Sequence, residues 1–239
     1  MRLDQYLVHH YNFSRNRAHL LVRDGAVLIN KQTITKPAYI VKETDVVTIT
    51  DTIKYVSRAG LKLEHALQIF KINPEKMICL DIGSSTGGFT DCLLQHHADY
   101  VDAVDVGTNQ LVMSLRNHKQ VCVYEQTDIR NFQNTQHYDL IVCDASFISL
   151  TKIIPEIPRF AKDGSDIILL IKPQFEVGKD FIGKGGIVDD ELRVVEIITD
   201  IINCAKQYHL RLRNEIKQSP ITGGDGNREY LAYFTYHKK

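Results

Sequence analysis

Apolar and polar positions change rhythm along this chain of 239 residues, and the changes separate a short front block from a long second block. In the front block, Leu3, Tyr6 and Leu7 recur at helical spacing within "RLDQYLVHH". A second helix is predicted in "SRNRAHLLVRDG", where Ser14 is placed to cap it and Gly25 to end it. "AVLIN" and "DVVTIT" read as short strands, with Asn30-Lys31 set for a turn after "VLI". A polar link, "DTIK", comes next.

From "YVSRAGLKLEHALQIF" onward, apolar runs alternate with helical patterns. Strands are predicted in "MICLDIG", "YVDAVDVG", "VCVYEQT", "YDLIVCDAS" and "DIILLIK", and near "LRLRNEIKQ" and "EYLAYFTYH". Between them, helices are predicted from about Phe89, near "NQLVMSLRN", in "LTKIIPEIPRFA", and over "DELRVVEIITDIINCAKQY". This alternation predicts an α/β fold, a mostly parallel sheet flanked by helices on both faces. In such sheets ligands bind at the carboxyl ends of the strands.

Charge sharpens the division. Net charge is zero, yet residues 1 to 62 hold ten Lys/Arg against five Asp/Glu, and the remainder carries the opposite excess. A basic front end on an acidic body points to a polyanionic partner. The five cysteines (Cys79, Cys92, Cys122, Cys143 and Cys204) include no CxxC pair, so neither a disulfide framework nor a metal site is expected, and a reducing cytoplasm is. Cys79, Cys122 and Cys143 sit in apolar runs as expected core thiols. No export signal is read. The longest aliphatic run, near "IILLI", falls far short of the roughly 20 residues that span a bilayer, so no membrane partner is expected.

The stretch "LDIGSSTGGFTDCLL" joins a strand, a glycine-rich loop and a helix. A nucleoside triphosphate would need lysine where Phe89 stands. A dinucleotide would need glycine at Ser85 so that the backbone could approach a pyrophosphate. S-adenosylmethionine has no phosphate, needs no cationic cradle, and carries a sulfonium that tolerates carboxylates. The loop residues Gly83, Ser85, Thr86, Gly87 and Phe89 are the expected cofactor contacts, with Asp81 orienting the loop through its amides. Asp105 ends the next strand, 24 residues after Asp81, close to the usual distance for an acid that reads ribose hydroxyls. Asp128 ends the third of these strands, where it could reach the adenine amino group.

The residues after Asp144 narrow the acceptor. Ala145-Ser146-Phe147 stands where base-amine methyltransferases carry a Pro-Pro-aromatic sequence, and no Pro-Cys pair offers a nucleophile for pyrimidine carbon. A hydroxyl acceptor remains. A ribose hydroxyl is a poor nucleophile near neutral pH, and a lysine of lowered pKa could take its proton. Lys172, at the end of "DIILLI", and Lys62, in "SRAGLKL", are candidates, with Asp144 and Glu229 as the carboxylates to orient them.

"SRAGLKL", "LDIGSSTGGFTDCLL", "VCDASFISL", "LIKPQFEVGK" and "NREYLAYF" resemble, in order, the blocks of the TlyA (haemolysin A-like) family of ribosomal RNA 2′-O-methyltransferases, of the FtsJ type. The front end resembles the S4-type RNA-binding module. The resemblance implies residues 1–54 as that α+β module and 55–239 as a Rossmann-like methyltransferase domain using S-adenosylmethionine. It implies a tetrad of Lys62, Asp144, Lys172 and Glu229, with Lys172 in the base or activating role. It implies cytidine riboses of ribosomal RNA, in ribosomal subunits, as substrate. Arg2, Arg15, Arg17, Arg23 and Arg58 are the expected RNA contacts. Ala59 and Lys31 depart from the family pattern, where glycine is commoner. The family's historical name raises a membrane-active haemolysin as an alternative, and a non-catalytic RNA-binding assembly factor is another. The glycines of "FEVGKDFIGKGGIVDD" suggest a lid, or merely a long surface connection.

Overall fold

The structure is a computed structural model. It describes residues 1–239 except 12, 14, 24, 50–53, 179, 180, 182, 224, 225 and 239, and leaves aside the side chains of 16, 17, 20, 23 and 184. The chain divides into two compact units, Met1–Arg58 and Ala59–Lys239, four residues beyond the expected boundary.

In the first unit, α1 (Leu3–Tyr11) and α2 (Arg15–Arg23) pack with a small antiparallel sheet of β1 (Val27–Ile29), β2 (Gln32–Thr33) and β3 (Val47–Ile49), in the order β2-β1-β3. Leu3, Leu7, Leu21, Val22 and Val27 form its core. Ser14, expected to cap α2, lies outside the described residues. Asn30 and Lys31 both take positive φ, 52° and 70°, in the two-residue turn that pairs Ile29 with Gln32. That geometry matches the twist of a hairpin, which is why Asn begins it and why Gly would replace Lys31 with less strain.

The second unit opens with α3 (Ala59–Phe70), whose buried face carries Lys62 among Leu63, Ala66 and Leu67. Seven strands of its sheet run in the order β10-β11-β8-β7-β4-β5-β6, and β9 also pairs with β11. These are β4 (Ile78–Ile82), β5 (Tyr100–Val104), β6 (Val121–Tyr124), β7 (Tyr138–Cys143), β8 (Ala161–Ile171), β9 (Leu210–Leu212), β10 (Lys217–Gln218) and β11 (Tyr230–Tyr236). The β6-β5-β4-β7-β8 run is parallel, and β11 joins β8 antiparallel. From β4 the chain proceeds outward through β5 and β6, then returns to the other side with β7 and β8. The switch point therefore falls between β4 and β7, where such sheets bind ligands. α4 (Gly88–Gln95) comes directly after β4 and its loop. The long α7 (Glu191–Gln207) is capped by Asp190, which accepts from the Leu192 and Arg193 amides, and buries Val194, Ile197, Ile201 and Ala205 along one stripe.

Two expected helices are reduced. "NQLVMSLRN" yields only α5 (Met113–Arg116). "LTKIIPEIPRFA" forms two short 3-10 segments, Leu150–Lys152 and Ile154–Arg159, because Pro155 and Pro158 interrupt the regular ladder. Cys79 and Cys143 are core thiols, whereas Cys122, on the edge strand β6, is only half-buried.

Candidate active site

The loop after β4 turns at Gly83, whose φ is 81°. A Cβ there would stand 2.8 Å from Ala145 Cα and 2.9 Å from its nitrogen, so the loop packs directly on the chain leaving β7. Asp105 secures this loop, accepting from the Ser85 amide at 2.8 Å and the Gly107 amide at 2.6 Å. The role expected of Asp81 thus falls to Asp105. Asp81 is fully buried and instead accepts the Thr90 hydroxyl of α4 at 2.6 Å. Burial, opposed by that hydroxyl and reinforced by nearby Asp144, pushes the Asp81 carboxyl up to about 7.

A cleft of about 250 Å³ opens at the carboxyl ends of β4, β5 and β7. Gly83, Ser85, Asp105, Asp128 and Asp144 line it, together with Val104, Val106, Ile129 and Ile148. Among the described residues, three carboxylates and no lysine or arginine line it, and two of the three are paired, Asp128 with Arg130 and Asp144 with Lys172. Such a lining gives a polyphosphate no cationic cradle and suits an uncharged nucleoside bearing a cationic sulfur. Asp128 is clasped by Arg130 through both carboxylate oxygens, at 2.9 and 2.6 Å, and that hydrogen bonding holds its pKa below the ordinary value. Three expected contacts do not line the cleft. Phe89 is buried in α4, Gly87 caps that helix with φ 101°, and the Thr86 carbonyl accepts from the Val112 amide. The reason is that α4 begins at Gly88, so these positions serve the turn and the helix packing.

Sequence reasoning overlooked Gln110, which also lines the cleft and whose loop is shaped by Glu125. The Glu125 carboxylate accepts from the amides of Asn109, Gln110 and Leu111 and from Arg116 at 2.7 Å. Against the upward push of burial, Arg116 and these amides hold it down to about 2.

The tetrad residues come together as two ion pairs. Lys62 Nζ lies 2.5 Å from Glu229 Oε2, with the two residues 8% and 3% exposed. Lys172 Nζ lies 2.6 Å from Asp144 Oδ1, an approach off the hydrogen-bonding directions. Its directed bonds go to the Asp144 carbonyl at 3.0 Å and to Ser146 Oγ at 2.8 Å. The pairing of Tyr230 with Ile171 sets Glu229 beside Lys172 at the end of the β8–β11 ladder. Burial raises the Glu229 carboxyl, while Lys62 first and then Lys172 oppose the rise. Lys172 thus makes two directed hydrogen bonds beside its ion-pair contact with Asp144 Oδ1.

Beside this cluster Phe147, overlooked as a site residue, is 91% exposed and takes φ 63°. Its ring stands 4.9 Å from that of Phe175. In the glycine-rich segment, Asn227 accepts from the Val188 amide and donates to the Gly186 carbonyl.

In the first unit, Arg2 is engaged by Asp4, its Nη2 lying 2.7 Å from Oδ2. The same Asp4 oxygen lies 2.8 Å from His19 Nε2. Arg2, Gln5, His9, Arg15 and His19 line a groove of about 480 Å³ with the buried Asp4. Arg17 and Arg23 lie on α2 with their side chains outside the described residues, and Arg58 is a half-buried turn residue before α3.

Among proteins built on this sheet, a cleft that gives phosphate no cationic cradle but offers acids to hydroxyls and to a sulfonium belongs to the S-adenosylmethionine-dependent methyltransferases, and the second unit is one of them. Residues 55–236 match the FtsJ-like methyltransferase family model, and residues 1–47 match the S4 domain. Hemolysin A of Brachyspira hyodysenteriae is 44% identical over 98% of this chain and 99% of its own. The 23S rRNA (cytidine-2′-O)-methyltransferase TlyA of Campylobacter jejuni is 37% identical, with the same coverage. A solved structure from Streptococcus thermophilus, described as a hemolysin, has a TM-score of 0.79 at 36% identity, spanning 100% of this chain and 89% of that one. The chain belongs to the TlyA (hemolysin A-like) family of FtsJ-like methyltransferases.

Proposed function

We propose that this enzyme transfers a methyl group to the 2′-hydroxyl of a cytidine ribose in ribosomal RNA, in the cytoplasm, and that its first unit docks the RNA. The observation that carries this reading is the pair of buried lysine–carboxylate contacts beside the cleft. Buried charges of this kind are costly and are a mark of chemistry more than of stability. The 2′-O specificity in the name of the Campylobacter relative agrees with them. Among the described residues no helix is long and apolar enough to cross a membrane.

S-adenosylmethionine supplies an electrophilic methyl on a positively charged sulfur. Asp105 and Asp128 would hold its adenosine, and the apolar Val104, Val106 and Ile129 would flank the base. Lys172 takes the proton from the 2′-hydroxyl at Nζ, and Asp144 stabilises the ammonium that results. The Lys62–Glu229 pair holds the ribose, with the Lys62 ammonium favouring negative charge that develops on the attacking oxygen. Phe147 offers its ring to the base of the acceptor nucleotide, since aromatic faces stack on any base.

The test is to treat unmodified ribosomal subunits and naked ribosomal RNA with purified enzyme and labelled donor, then map ribose methylation at nucleotide resolution. Label on a 2′-oxygen supports the reading. Label on a base, or none with either substrate, overturns it.

A further inference from the structure

The segment Ala145–Ser149 leaves β7 directly after Asp144 and carries Ser146 and Phe147 along the rim of the cleft. It takes an unfavourable shape. Phe147 has left-handed backbone angles, disfavoured for a bulky side chain, while its ring is left in water. Such a conformation persists only where the surroundings over-determine it.

The surroundings that do so come from α6 (Pro173–Glu176), the helical turn immediately after Lys172. Glu176 Oε2 accepts the Ser149 hydroxyl at 2.5 Å, and Oε1 accepts the Leu150 amide at 2.8 Å. The Phe175 ring backs that of Phe147. Ser149 itself caps the adjoining 3-10 turn, accepting from the Thr151 amide. One half-buried carboxylate therefore ties the turn that starts at Lys172 to the far end of the Phe147 segment.

We propose that Glu176 is a positioning residue for methyl transfer. Its carboxylate clamps the segment so that Ser146 keeps its hydrogen bond from Lys172 and Phe147 stands at the acceptor side of the cleft. This rests on Lys172 as the proton acceptor, but the clamp can be tested without RNA.

The chain contains no tryptophan, so F147W places a single fluorophore on the segment. Full-length F147W, F147W/E176A and F147W/E176Q are compared by time-resolved anisotropy, for fluorescence only. E176A, E176Q and S149A in the natural background are compared for kcat and KM with ribosomal RNA, with donor affinity by calorimetry. E176A is expected to lower kcat at least tenfold, to leave donor affinity within twofold, and to add fast segmental motion to the anisotropy decay. Glutamine can still accept from Leu150 and donate to Ser149, so E176Q restores both rigidity and kcat. S149A, which removes one of the two bonds, gives an intermediate loss and keeps the test valid should E176A not fold. Unchanged anisotropy and kcat in E176A overturn the proposal, as does an E176Q enzyme as impaired as E176A. Because anisotropy is read without RNA, a segment rigid in F147W and loosened in F147W/E176A upholds the clamp even if the ribose assignment fails.

Discussion

Lys62 and Glu229 stand 167 positions apart in the chain and meet at 2.5 Å in the interior of the second unit. α3 brings the lysine on its buried face, and the residue directly before β11 brings the carboxylate. Truncating one partner leaves the other charged, buried and unpaired, at a cost of about 3–5 kcal/mol. E229A is therefore expected to lower stability by that order in urea unfolding. K62M/E229L should recover most of the loss while remaining inactive in methyl transfer. A double variant that regains activity would remove the pair from the chemistry.

Lys172 separates two roles by substitution. K172A should lower kcat about 10³-fold, the range of a general base, with donor affinity unchanged by calorimetry. Arginine keeps the charge but does not give up its proton. K172R as inactive as K172A supports proton transfer, whereas substantial activity in K172R assigns the residue to charge stabilisation instead.

Gly83 allows the loop after β4 to lie on the backbone of Ala145. G83A adds a methyl that meets backbone atoms, which yield little, at a position with φ 81°. Donor affinity is expected to fall at least tenfold and stability by about 1–3 kcal/mol, read by calorimetry and thermal unfolding.

Asp81 makes stability depend on pH with a defined sign. Its folded pKa of about 7 lies above the unfolded value near 3.9, so the folded state holds the extra proton between them. Stability from this group is complete below about pH 4 and is lost as pH rises through 7. D81N abolishes the dependence. The difference in unfolding free energy should move in favour of D81N by roughly 3–4 kcal/mol between pH 4 and 8. A pH-independent difference would contradict the assignment. Glu125 has the opposite sign: its pKa is held to about 2, so its contribution is present above about pH 4.3 and is lost as pH falls through 2.

Arg2 and Arg15 line the same groove of the first unit. If each meets a phosphate, R2Q and R15Q should each reduce the salt slope of RNA binding, by about 0.9 on duplex or 0.7 on single-stranded RNA. Equal slopes in wild type and both variants would place the RNA elsewhere.

Local chemistry is readable where it is decided locally. The alternation of "MICLDIG", "YVDAVDVG" and "YDLIVCDAS" with helical patterns places β4, β5 and β7, because a strand buried on both faces has few alternatives to a continuous apolar run. The turn at Asn30-Lys31 is readable from Asn. The helix predicted over residues 150–161 fails because its apolar spacing is helical while two prolines deny it the backbone bonds.

By itself, then, the amino-acid order determined the two blocks, the strand-and-helix alternation and a loop unsuited to phosphate, because each depends on side chains within a few turns of one another. Tertiary structure alone decided that Asp105, not Asp81, grips the glycine loop, that Phe89 points into packing, and that Phe147 stands in water held from α6. The family resemblance names the four tetrad residues, and tertiary structure joins Lys62 to Glu229 and Lys172 to Asp144 and Ser146. Those outcomes depend on which strands become neighbours and which way each end faces, and no local periodicity carries that information.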